Sequence, residues 1–150
     1  MQTMSKQIKS KERVRDFAEV FTAEREVKAM CDLIPLETWE NIESTFLEPS
    51  CGTGNFLVEI FARKLTFCKN EKDGLKALAS IVGIDILADN CAESRRRLLR
   101  LYQEKFPNAS EVAVSMAVAI LNNNIICGDS LEIMQGWVDE ELPEQMQIPI

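Results

Sequence analysis

The chain has 150 residues, with 17 Lys+Arg, 24 Asp+Glu, no His and a net charge of -7. That length suits one domain, able to bury roughly two-thirds of the surface its unfolded chain exposes, and a composition of 46% hydrophobic and 27% charged residues is that of a globular protein, not a disordered one. The charge excludes nucleic-acid binding by bulk electrostatics alone, and the lack of His excludes Ser-His and Cys-His nucleophile pairs and imidazole metal sites.

Residues 1–9 are polar and read as a flexible N-terminus without a secretion signal. From Lys11 to Phe21 the positions Val14, Phe17, Ala18 and Phe21 follow helical spacing. Thr22 can cap a second helix, with Val27, Met30, Cys31 and Ile34 as its buried stripe and Pro35 as its stop. Leu36 to Glu43 fits a short helix or a loop. Ser44 to Glu48 is a strand candidate ending at Pro49, and the glycine-bearing stretch Ser50 to Asn55 is irregular. Leu57, Ile60, Phe61, Leu65 and Cys68 then mark an amphipathic helix. A short helix over Leu75 to Ser80 leads into Ile81 to Ile86, an apolar, β-branched run suited to a buried parallel strand. Ala88 to Lys105 reads as a helix with Cys91, Leu98, Leu101 and Tyr102 inward.

Glu111 to Leu121 alternates large and small residues with a strand-like period, but its alanines and the Ser110 cap favour a helix. Asn122 to Asn124 read as a break, Ile125 to Cys127 as a third strand, and the acidic stretch beyond Leu131 as a tail without a clear period. The longest apolar run, Val112 to Leu121, is about half the roughly 20 residues a membrane span needs, so no membrane association is expected. The odd count of five cysteines and the lack of any C-x-x-C pair suggest a reducing, cytoplasmic setting. Cys31, Cys68, Cys91 and Cys127 read as small buried hydrophobes, and Cys51 is set apart by its glycine loop.

Strands alternating with helices give an α/β fold with a parallel sheet, whose ligands bind at the carboxyl ends of the strands. All three strand candidates end in an acidic or glycine-rich turn. After the first, Gly52 and Gly54 let backbone approach a ligand, and the next helix offers free N–H groups that favour an anion; a purely structural tight turn is the alternative. Asp85 ends the second, where a carboxylate can accept both ribose hydroxyls or can cap the following helix. Asp129 and Ser130 follow the third, where the acid can accept from an adenine amine or serve as an ordinary turn residue. Together the three turns describe a site for an adenosine-bearing ligand.

These segments resemble the S-adenosylmethionine-dependent adenine-N6 DNA methyltransferases of restriction-modification systems. Phe46 to Leu57, with Glu48-Pro49-Ser50-Cys51-Gly52-Thr53-Gly54-Asn55-Phe56, is similar to the family's motif I. Ile81 to Ile86 resembles motif II, and Asn124 to Leu131 motif III. Glu19-Val20-Phe21-Thr22 resembles motif X, with Ala23 in place of the usual proline. The resemblance covers residues 13–132. It implies a Rossmann-like methyltransferase fold with an incomplete parallel sheet and an N-terminal helical segment, in a domain over 10–132 followed by a tail over 133–150. It implies S-adenosyl-L-methionine as cofactor. Gly52 and Gly54 would admit the methionine moiety, and Glu48 would lie near its amino group. Pro49, Cys51 and Phe56 would belong to the same loop site, Cys51 through its backbone. Asp85 would hold the ribose, Ile86 would pack on adenine, Asp129 with Ser130 would take the adenine amine, and Phe21 and Thr22 would close over the cofactor.

The family's catalytic Asn/Asp-Pro-Pro-Tyr/Phe tetrapeptide is absent from the sequence, whose later prolines are Pro107, Pro143 and Pro149. No catalytic residue and no metal ligand are therefore expected here. In the family's sheet the first strand is internal, so here its edge would be open, to be covered by Gln145 to Ile150, by a second copy of the chain or by a partner protein. DNA would be reached only through a partner. Three readings follow: a cofactor-binding subunit whose acceptor site comes from a partner, a non-catalytic methyltransferase-like interaction protein modulating a restriction-modification or phage-related system, or a fragment. The basic stripe Arg95, Arg96, Arg97, Arg100 and Lys105 reads as a solvated helix face. Phe56, Phe61 and Phe67 read as core and not as base-stacking residues, and Trp137 as folding back on the core.

Overall fold

The computed structural model describes residues 9–17 and 21–141. The expectations placed on residues 1–8, on Glu19 and Val20, and on Gln145 to Ile150 lie outside the described residues. Among the described residues eleven elements follow in chain order: α1 (Lys11–Phe17), α2 (Glu24–Cys31), α3 (Leu36–Glu40), β1 (Phe46–Glu48), α4 (Asn55–Leu65), α5 (Glu71–Ala79), β2 (Ile81–Asp85), α6 (Ala88–Lys105), α7 (Glu111–Asn124), β3 (Ile125–Cys127) and α8 (Ser130–Glu141).

The three strands form one parallel sheet in the order β1-β2-β3. Phe46 pairs with Ile81, and Asp85 pairs with Cys127, so all three carboxyl ends lie together. The central strand β2 is buried at Ile81, Gly83, Ile84 and Asp85, as its apolar run requires. Among the described residues β1 pairs on one side only, and Leu47 there is exposed. The fold is thus α/β, with a small parallel sheet and many helices. Leu57 and Phe61 of α4, Leu98 and Tyr102 of α6, and Ile81 and Ile125 of the sheet belong to one core.

The period of α7 has a packing cause. Its buried residues are Ala113, Ala117 and Leu121, at helical spacing, while Val112, Met116 and Val118 are exposed. Small residues inward let α7 lie close against α5 and α6, and the large residues between them produce the strand-like alternation. Ser110 caps the helix, its side chain accepting from the Ala113 N–H at 3.1 Å. Asn122 to Asn124 do not break the chain: α7 runs through them directly into β3, and Asn124 donates to the carbonyls of Ala79 and Ile81.

Other local expectations are corrected. Thr22 does not cap α2; Ala23 is its N-cap and supplies no side-chain bond. Of the two readings of Leu36 to Glu43, the short helix holds, over Leu36–Glu40. Lys9 is not frayed, because its ammonium reaches Asp89 at 3.0 Å and Asn90 at 2.8 Å. Residue 132 lies inside α8, so the stretch from 133 begins within a helix, with Trp137 half-buried. Phe67 is exposed, whereas Phe61 is fully buried. Cys127 is exposed and so is not the buried hydrophobe expected, while Cys31, Cys68 and Cys91 are buried as expected and Cys51 is buried with them.

At the amino ends of the strands a lysine joins three segments. Lys64 of α4 is fully buried and donates to the carbonyls of Ile42 and Ser44 and to Ser80 Oγ at 2.6 Å. Its ammonium also sits 4.9 Å from the centre of the Phe46 ring. Burial pushes this amine down to about 8 from its ordinary 10.5. In that window the unfolded chain binds a proton that the folded chain does not, so stability attributable to Lys64 rises with pH from about 8 to 10.5 and is flat below. Urea titrations of the wild type and Lys64→Met at about pH 7.5 and about pH 10 should show the wild type gaining on the variant by on the order of 1–3 kcal/mol at the higher pH, solvent screening included. An unchanged difference would contradict the buried-amine picture.

Candidate functional site

A cavity of about 290 Å³ opens at the carboxyl ends of the three strands. This is at the low end of small-molecule sites, roughly 300–1,000 Å³. Its floor is the Asp85 carboxylate, only 8% exposed. Oδ2 accepts the Gly52 N–H at 2.9 Å. Oδ1 accepts the Leu87 N–H at 2.9 Å and Asn90 Nδ2 at 3.2 Å. The Asp85 carbonyl accepts the Gly128 N–H at 2.9 Å. One residue therefore ties the turns after β1 and β3 to the start of α6. Asp85 is not the cap of α6, whose N-cap is Leu87 without a side-chain bond; its Oδ1 instead holds the turn before that helix, and the residue lines the cavity.

The first turn has left-handed backbone at Gly52 (φ 55) and Gly54 (φ 93). A Cβ on Gly52 would meet the Phe21 ring at 2.9 Å, and one on Gly54 would meet Ser94 Oγ at 2.9 Å. Gly52 thus admits the close approach of Phe21 over the loop, and Gly54 admits that of α6. Gly54 also starts α4 as its N-cap. Of the twelve expected site residues, Gly54 alone does not line the cavity. Phe21 and Thr22 line one rim, Glu48, Pro49, Cys51, Gly52 and Phe56 the first turn, Asp85 and Ile86 the second, and Asp129 and Ser130 the third. Ile86 is 51% exposed there, an apolar side chain presented to the opening.

Glu48 is half-buried and accepts the Ser50 N–H at 3.2 Å; burial raises its pKa above the usual carboxylate value. Asp129 caps α8, accepting from the Leu131 and Glu132 N–H groups at 2.9 and 3.2 Å. Burial, then the Asp85 charge, push the Cys51 thiol up to about 12, which rules it out as a thiolate nucleophile at neutral pH. Three acidic residues line the cavity and, among the described residues, no Lys or Arg does. Among the described residues no group of His, Cys, Asp and Glu could hold a metal ion.

Asn55 has a role the sequence did not signal. Its Nδ2 donates to the Thr22 carbonyl at 2.8 Å, and its Oδ1 accepts from Arg97 at 2.8 Å. Arg97 also donates to the Thr53 carbonyl, and Arg95 to that of Ile125. The expected solvated face therefore holds for Arg96 and Arg100, paired with Glu93 and Glu104, but Arg95 and Arg97 fix the backbone around the site. The N-terminal segment is tied down further by Arg13, whose guanidinium contacts both Asp89 oxygens at 2.7 and 3.0 Å. Arg13 and then Lys9 hold the Asp89 carboxyl well below the usual range.

No family model, no curated protein and no solved structure matches the chain. Among the described residues no helix is long and apolar enough to cross a membrane.

Replacing Asp85 by Asn should turn an N–H toward one of the donors it now accepts. The expected cost is about 1–3 kcal/mol in a urea midpoint measurement. Asp129→Asn, which keeps an oxygen for the α8 cap, should cost well under about 1 kcal/mol.

Proposed function

We propose that the chain binds S-adenosyl-L-methionine in this cavity as a Rossmann-like domain related to the adenine-N6 DNA methyltransferases. The observation that carries the reading is the lining: three strand-end acidic residues and, among the described residues, no cationic side chain. Such a lining disfavours a phosphate-bearing dinucleotide and suits a ligand with an ammonium and a sulfonium charge. Glu48, in the cavity lining, would accept from the ammonium. The N–H groups at the start of α4 suit the ligand's carboxylate. Asp85 Oδ2, which accepts one bond, retains acceptor capacity for a ribose hydroxyl, Asp129 for the adenine amine, and the exposed Ile86 offers an apolar face for the adenine ring. Phe21 and Thr22, anchored by Gly52 and Asn55, form the rim that would exclude water.

When bound, the cofactor supplies an electrophilic methyl group for in-line attack by an adenine amine. The chain's own part is orientation. The sequence holds no Asn/Asp-Pro-Pro-Tyr/Phe tetrapeptide, so the acceptor site has to come from outside these 150 residues. Among the described residues β1 is unpaired on one side, which runs to the cavity mouth at Glu48 and is where a partner protein or second copy would bring it. With a net charge of -7, DNA is reached through that partner, in the cytoplasm. The same open edge equally suits a methyltransferase-like interaction protein that uses the cofactor only to order its surface; methyl transfer on adding the partner separates the two.

Calorimetric titration should give binding of S-adenosylmethionine and S-adenosylhomocysteine, weakened about tenfold by Glu48→Gln. Affinity should fall as pH drops through the raised Glu48 pKa, because the protonated acid no longer attracts an ammonium. Glu48→Gln should lack that fall. Absence of binding to the folded chain would contradict the proposal.

A further inference from the structure

Two thiols converge behind the wall of the cavity. Cys91, in the first turns of α6, is fully buried, and Cys127, the last residue of β3, is exposed. Strand pairing sets Cys127 opposite Asp85. Cys91 Sγ lies 3.5 Å from the Asp85 carbonyl oxygen and 3.6 Å from that of Ile126, the residue before Cys127. Cys127 Sγ lies 3.6 Å from the carbonyl of Ile86, the residue after Asp85. Both sulfurs therefore rest on carbonyls at the carboxyl ends of β2 and β3. Burial and the neighbouring Cys127 together push the Cys91 thiol up to about 11.

We propose that Cys91 and Cys127 are a reversible dithiol–disulfide pair that locks the acidic wall of the cavity. Their environments divide the roles, and a small-molecule disulfide of the glutathione class is the oxidant. The exposed Cys127 loses its proton and attacks one sulfur of that disulfide, releasing one small thiol and leaving a mixed disulfide. Cys91 then gives up its proton and attacks the Cys127 sulfur, and the second small thiol leaves. One disulfide is reduced, one is formed, and the two protein protons end on the two small thiols. The low thiolate fraction of buried Cys91 makes this second step the slow one.

The bond would join the start of α6, beneath Asp85, to the residue preceding Gly128 and Asp129. Gly128 already donates to the Asp85 carbonyl, so oxidation would fasten a contact the reduced protein makes by a single hydrogen bond. The pairing depends on no assumption about the ligand. Cys51 is the competing partner, since it also lies near Cys91 and bonds Ser94 one turn further along α6.

The test is equilibration of the whole chain in mixtures of reduced and oxidised glutathione, followed by alkylation, peptide mass spectrometry and hydrogen exchange. The expected product lacks two hydrogens, hides two of the five thiols from alkylation and gives one cross-linked peptide pair containing Cys91 and Cys127. Cys127→Ser, at an exposed site that should leave folding intact, forms no such bond. Cys91→Ala stops at glutathione on Cys127. Exchange of the Gly128 to Leu131 amides should slow by roughly tenfold on oxidation of the wild type. A Cys51–Cys91 cross-link, a stable mixed disulfide on wild-type Cys127, or unchanged exchange in the oxidised protein would each overturn the proposal.

Discussion

The cavity exists because one buried carboxylate is shared among three loops. Asp85 accepts N–H groups from Gly52, Leu87 and Asn90 through its side chain and from Gly128 through its carbonyl. A buried carboxylate without such donors would be expensive, several kcal/mol in low-dielectric surroundings. With them it fixes how far apart the three strand ends sit. The rest of the site is arranged around that point: Cys51 donates its backbone N–H to Ile84 at 2.8 Å, Glu48 and Asp129 stand at the flanking turns, and the Asp85 charge helps keep Cys51 protonated.

The two ends of the sheet are held by opposite charges. Lys64 gathers the backbone leading into β1 and the residue before β2 at the amino ends, while Asp85 gathers the turns at the carboxyl ends. A three-stranded sheet has little area of its own, so these buried charged groups and the helices around them set its register and its spacing. The N-terminal segment is fastened from outside, by Lys9 and Arg13 on Asp89 and by Asn55 on Thr22. The rim of the cavity is thus coupled to α6 and α4 and not only to the chain that precedes it.

Much of this was legible in the sequence because turn chemistry is local. Glycines at 52 and 54 and acids at 48, 85 and 129 announce themselves by residue type and by position after a strand, and all but Gly54 line the cavity. Gly54 serves helix packing against Ser94, which no local pattern reveals. Cys127 looked like core because it ends an apolar run, but β3 is an outer strand and its last residue is exposed. Lys64 carries no signal: one lysine in an amphipathic helix reads as surface, and its burial depends on carbonyls 20 and 22 residues away. Arg97 and Asn55 meet across 42 residues, a contact that only the packing of α4 on α6 creates. The alternation in α7 competes with its helical reading because two of its three buried residues are alanines.

The most direct measurement is a crystal structure of the chain grown with S-adenosylhomocysteine. The expected result places the ribose hydroxyls at Asp85, the adenine beside Ile86 with its amine toward Asp129, and the amino-acid tail between Glu48 and the start of α4. Density for the nucleoside elsewhere, or an empty cavity at saturating ligand, would contradict the assignment.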